Sequence, residues 1–203
     1  ARNTTWTLDR EAGIRVHFAG ILFYDGQGFM VPKGSRVNSI DKLDGATVCV
    51  EKGTTHERNL ADYSAAHRIR VTPLVIDSAT GVADAFFAGR CGAYTSDSSQ
   101  LAAARLRAPA GRAFLILPER ISKEPLGPVV RRGDDDWLTL VRWVLFALLA
   151  AEEKGITKAT ASNPDARRAL GTDTDVARAL GTDPDWAPRA VQSVGNYGEI
   201  FER

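Results

Sequence analysis

The segment Gly53-Thr54-Thr55-His56-Glu57 stands between a strand pattern and a helix pattern. Backbone N–H groups at the start of a helix have no intrahelical partner, so such a junction attracts an anion, here a carboxylate. The same residues also read as a Thr N-cap with Glu57 reinforcing the first turn. The lysine-bearing Gly-Lys-Ser/Thr of a phosphate-binding loop is missing. Upstream, Asn3-Thr4-Thr5-Trp6-Thr7-Leu8-Asp9-Arg10 sets short hydrogen-bonding side chains ahead of an arginine. A guanidinium can grip a carboxylate through two parallel hydrogen bonds. Asp97 ends the short strand Ala93 to Thr95 through Ser96. An acid there can take an ammonium group, or it can cap the helix that begins at Ser98.

Groups for catalysis are sparse. His17, His56 and His67 show no metal-ligand spacing, no Gly-x-Ser-x-Gly elbow is present, and no cysteine is set beside a base. His17 belongs to a strand pattern and reads as structural. The chain is therefore read as a binder and not an enzyme, with no cofactor and no metal.

The elements that must position these residues begin with extended chain. His17 to Tyr24, the turn Asp25-Gly26-Gln27-Gly28 and the apolar Phe29-Met30-Val31 stopped by Pro32 read as strands and a connecting segment. From Ile40 the pattern alternates: strand 46–50, helix 56–66, strand 70–76, helix 79–88, strand 93–95, helix 98–106. That order predicts a mostly parallel sheet covered by helices, with ligands at the carboxyl ends of the strands. Pro125 to Val130 makes a second extended connector. Apolar residues at Trp137, Leu138, Leu140, Val141, Val144, Leu145, Leu148 and Leu149 predict a helix over Asp135 to Glu153 with a broad buried face. Ala-Leu-Gly-Thr-Asp occurs at 169–173 and again at 179–183, which reads as a glycine helix stop followed by Thr or Asp as the next N-cap.

With 203 residues, 44% of them hydrophobic, the chain can bury one large domain or two small lobes. Lys and Arg number 26 against 25 Asp and Glu, so the net charge of +1 gives no reason to invoke nucleic acid or an anionic membrane. The most apolar run, Trp143 to Ala151, is far shorter than the roughly 20 residues that a spanning helix needs. Cys49 and Cys91 are either two free core thiols or a disulfide, because neighbouring strands can bring Cα atoms within bridging range. A disulfide would imply an oxidising compartment such as the periplasm.

Several stretches together resemble the extracellular solute-binding protein family 3, and within it the general L-amino-acid-binding receptors of Gram-negative bacteria. They are Arg2-Asn3-Thr4-Thr5-Trp6-Thr7, Tyr24 to Val31, Val48-Cys49-Val50 with Gly53-Thr54-Thr55, Gly89-Arg90-Cys91 with Tyr94-Thr95-Ser96-Asp97, Ile121 to Pro128, and Val194 to Arg203. The resemblance covers nearly the whole chain. It implies an α/β fold of the periplasmic-binding-protein type II, with a free L-amino acid held between two lobes and delivered to the permease subunits of an ABC transporter at the inner membrane. Carried over position by position, Arg10 would clamp the α-carboxylate, assisted by Thr5 and by the helix start at Gly53, Thr54 and Thr55. Asp97 would accept the α-ammonium, with Asn3 nearby, and Cys49 would pair with Cys91. The hinges would lie around Gly28 to Val31 and Leu126 to Val130.

Against the family pattern, Gly92 stands where an acidic residue usually follows the second cysteine, and relatives continue beyond both ends of this sequence. The expected organisation is a remnant of lobe 1 over 1–27, lobe 2 over 28–125, and a second hinge with the returning helical part of lobe 1 over 126–203. The chain is thus expected to be a truncated periplasmic receptor, with the face of the helix at 135–153 that includes Trp137, Val141, Val144 and Leu148 left uncovered and a homodimer formed through the incomplete lobe. The alternative is a structural or interaction remnant that no longer binds or transports ligand. An enzyme reading, prompted by dehydratase relatives of the fold, comes third.

Overall fold

The computed structural model describes residues 3 to 202, so Arg2 and Arg203, the ends of two of the stretches quoted above, lie outside it. The chain divides into two units, one of residues 23–125 and one of residues 1–22 with 126–203. It passes between them at Leu22–Phe23, ahead of Gly28 to Val31, and again at Pro125–Leu126.

In chain order the strands are β1 (Thr4–Thr5), β2 (Val16–Phe18), β3 (Phe23–Asp25), β4 (Gln27–Pro32), β5 (Thr47–Glu51), β6 (Thr72–Ile76), β7 (Ala93–Asp97), β8 (Phe114–Ile116), β9 (Glu124–Gly127) and β10 (Val129–Arg131). The helices are α1 (Thr55–His67), α2 (Ala79–Phe87), α3 (Ser98–Leu106), α4 (Asp135–Glu153), α5 (Pro164–Leu170), α6 (Thr174–Ala179), α7 (Trp186–Val194) and α8 (Tyr197–Phe201).

The unit of residues 23–125 is built on a five-stranded sheet of order β6-β5-β7-β4-β8. β5 runs parallel to β6 and β7, whereas β4 is antiparallel to β7 and β8. The expectation of a mostly parallel sheet is corrected here to a mixed one. The apolar Phe29-Met30-Val31, read as part of a connector, is buried to within 1% and serves as an interior strand. A run that is apolar on both sides belongs inside a sheet covered on both faces. Alternation does the sorting. Phe29, Val31 and Val48 join Ile40, Leu43 and Leu60 in one core, while Met30, Cys49 and Tyr94 join Val82, Phe86, Leu101 and Phe114 in the other. The two cysteines form a disulfide with Cα atoms 5.7 Å apart, Cys49 in β5 and Cys91 in the bend before β7.

In the other unit, β1 pairs antiparallel with β9 (Thr5 opposite Leu126) and β2 with β10 (His17 opposite Val130). Gly127 is required by close approach: a Cβ there would sit 2.1 Å from the Gly20 carbonyl oxygen. Asp134 caps α4 by accepting from Trp137 N–H. The first Leu-Gly-Thr-Asp behaves as read, with Asp173 accepting from the N–H groups of Asp175 and Val176 at the start of α6. In the second, Asp183 binds Asp185 N–H within a turn, and α7 begins only at Trp186.

The broad buried face expected for α4 is narrower than its apolar pattern. Leu145, Ala147 and Ala151 are buried, and Val144 and Leu148, expected on the uncovered face, instead pack against the core completed by Trp186, Ala187 and Val191 of α7. Trp137, Trp143, Phe146 and Leu149 are exposed, the first two by half of their surface. An open apolar groove of about 530 Å³ runs along Trp137, Val141, Val144 and Trp186.

Candidate functional site

The residues expected to bind ligand fall into two clusters, one in each unit. In the unit containing both chain ends, Thr5 is buried in β1 and Arg10 follows in a single π-type turn over Asp9–Gly13. Arg10 Nη1 donates to the Thr5 carbonyl at 2.9 Å, and Arg10 N–H donates to Thr7 Oγ1 at 3.3 Å. A guanidinium carries five N–H donors in a fixed fork, so anchoring one of them to the backbone sets the plane of the rest. Trp6 stacks on Phe18 with centroids 4.8 Å apart and donates its indole N–H to Glu11 at 2.6 Å. That packing fixes the strand on which Thr5 sits. Asn3 is exposed.

In the unit of residues 23–125 the second cluster gathers at the start of α1. Gly53 adopts φ +70°, the left-handed turn that lets β5 reverse into the helix. Thr54 occupies the N-cap position but makes no side-chain cap; its hydroxyl donates to the Glu51 carbonyl at 2.8 Å. Glu57 reaches back instead and accepts from Gly53 N–H at 3.1 Å. Thr55 Oγ1 donates to Glu124 at 3.4 Å. The helix start thus already holds carboxylates of its own chain: Glu57, in line with its reading as a support of the first turn, and Glu124, which local spacing could not reveal.

Asp97 ends β7 and is 4% exposed. The capping role left open for it is taken by Asp25, whose two carboxylate oxygens accept from the N–H groups of Ser98 and Ser99 at 3.2 and 3.1 Å. Asp97 makes no cap and meets His56 instead, Oδ1 to Nε2 at 2.9 Å, with both side chains less than 8% exposed. Gln27 braces this pair: its Nε2 donates to the His56 carbonyl at 3.0 Å and to Thr95 Oγ1 at 2.9 Å. Burial pushes the Tyr94 hydroxyl up from its ordinary value, partly offset by hydrogen bonds with Ser96 and Gln100, so this neighbour in β7 stays neutral.

Sequence reasoning missed His56 and Glu124. Glu124, 2% exposed, accepts from Asn59 Nδ2 at 2.8 Å and Ser122 Oγ at 2.7 Å in addition to Thr55. The only local signal for His56 was its place directly after Thr55. Among the described residues, no group of three or more His, Cys, Asp or Glu is arranged to hold a metal ion, and no helix is long and apolar enough to cross a membrane.

No model of a known protein family matches the chain. It is 49% identical over 209 residues to a glutamate/glutamine/aspartate/asparagine-binding protein of Rhodobacter capsulatus, which covers 99% of this chain and 62% of that protein. It is 48% identical over 211 residues to the general L-amino acid-binding periplasmic protein of Rhizobium johnstonii, covering 100% of this chain and again 62% of the relative. A solved ABC transporter periplasmic binding protein from Brucella ovis with glutathione bound superposes with a TM-score of 0.90 at 47% identity, over 99% of this chain and 66% of that one. The chain thus spans under two thirds of the length of these relatives. The chain is thus similar, over nearly its whole length, to amino-acid-binding proteins of ABC transporters, and it has the mixed α/β fold of the type II periplasmic binding proteins.

Proposed function

We propose that the protein is a periplasmic receptor for polar and general L-amino acids that delivers its ligand to the permease of an ABC transporter. The observation that carries this reading is identity of 46 to 49% along essentially the whole chain with three proteins named for amino-acid binding. The chemistry is consistent with it. A zwitterionic amino acid needs a cationic or N–H-rich group for its carboxylate and an anionic group for its ammonium. Arg10, supported by Thr5, supplies the first, and the backbone at Thr54 and Thr55 adds N–H dipoles, the Gly53 N–H being held by Glu57. Asp97, released from capping by Asp25, supplies the second, with Asn3 as an accessory polar group. Glutathione, bound in the Brucella ovis relative, carries the same α-amino and α-carboxyl pair at its γ-glutamyl end, so both ligand types present one head group.

Calorimetric titration with L-glutamine, L-glutamate and glutathione tests the assignment. Removing one charged partner leaves the ligand's opposite charge buried and unpaired, a loss of about 2 to 5 kcal/mol, so Arg10→Ala and Asp97→Ala each weaken binding by about 30-fold or more. The loss is similar for all three ligands because both residues read the shared head group. A variant that binds as tightly as the parent removes that residue from the site.

We further infer that a second copy of the chain covers the exposed aromatic face of α4, where Trp143, Phe146 and Leu149 recur every three residues. A patch of this kind on a two-fold axis is self-complementary, and closed pairs are the commonest way to bury it.

A further inference from the structure

His56 is 5% exposed, and its Nε2 lies against Asp97 Oδ1 while its Nδ1 has no hydrogen-bond partner. A ring that carries its proton on Nε2 donates to Oδ1 of the carboxylate and fixes it. Gln27, which holds the His56 carbonyl and Thr95, keeps α1 and β7 in the register that makes the contact.

We propose that His56 is the positioning residue for Asp97: its Nε2–H fixes Oδ1 and presents the second carboxylate oxygen to the ligand's ammonium, a reading that rests on the amino-acid site proposed above. Among the described contacts, Asp97 is the partner that meets His56 Nε2.

The test is calorimetric titration of the parent and two variants with L-glutamine. His56→Gln keeps an N–H donor and should bind within about three-fold of the parent. His56→Leu, with no donor, should lose about ten-fold or more. A purely structural role for His56 predicts instead that the two variants weaken binding alike, and that result overturns the proposal, as does a His56→Leu variant as tight as the parent. If His56→Leu fails to fold, His56→Gln decides: a loss of about ten-fold or more overturns the role of His56. A parent that binds no L-glutamine overturns the proposed site and this role with it.

Discussion

Asp25 caps the helix that begins at Ser98, although 73 residues separate them: its carboxylate accepts the Ser98 N–H at 3.2 Å. The same carboxylate takes Ser99 N–H at 3.1 Å, and the Gly26 carbonyl shares the Ser98 N–H at 3.0 Å, so the first two donors of α3 are satisfied from Asp25 and Gly26 and not from Asp97, which occupies the N-cap position itself. Asp25→Ala should cost about 1 kcal/mol, the usual value of a lost N-cap. Asp97→Asn should leave α3 capped. Urea denaturation of the two variants separates the roles, and a larger loss for Asp97→Asn traced to fraying of α3 by hydrogen exchange would reverse them.

The Cys49–Cys91 bridge closes a loop of 42 residues across the unit that carries Asp97. In the chain-entropy account a loop of that length contributes about 4 kcal/mol, drawn from the unfolded chain. Reduction should lower the denaturation midpoint by a corresponding amount. Thiol titration of the unfolded, unreduced protein should find none of the two cysteines reactive; two free thiols would show that the bridge does not form.

The exposed aromatics of α4 should bring two chains together. Trp143 and Phe146 meet edge to face, with centroids 5.6 Å apart, and present one continuous apolar surface. Light scattering should report a dimer at micromolar concentration, and Trp143→Glu with Phe146→Glu should return it to the monomer. A monodisperse monomer in the parent would be the contrary result.

At the edge of the sheet, the Arg70 guanidinium and backbone N–H hydrogen-bond Asp44, and they hold its carboxyl below the usual carboxylate range. A carboxyl depressed by folding adds stability that is present above its unfolded value, near about 4, and is lost as pH falls through the lower folded value. Both groups are at the surface, so salt screens the effect. Carboxyl carbon NMR should show Asp44 titrating at lower pH in the parent than in Arg70→Ala, and identical curves would discount the pair.

The sequence by itself determined the first four helices and the two cysteines' setting. Periodicity placed α1, α2, α3 and α4 within a residue or so of their limits, because caps such as Ser78 and Asp134 and stops such as Gly89 and Gly155 act over one turn. The quoted stretches were enough to point to the family. Tertiary structure decided which way β4 runs, since a fully apolar strand carries no mark of its neighbours' direction, and it decided which aromatics of α4 are covered, since α7 had to arrive first. It also decided the environment of Asp97. Local spacing offered an N-cap or an ammonium acceptor, and only the fold, by bringing Asp25 to Ser98 and His56 to Asp97 across 73 and 41 residues, assigned the cap elsewhere and buried the carboxylate beside a histidine. Contacts at such separations depend on strand order, which is set by the collective burial of a sheet and is not written in any one segment.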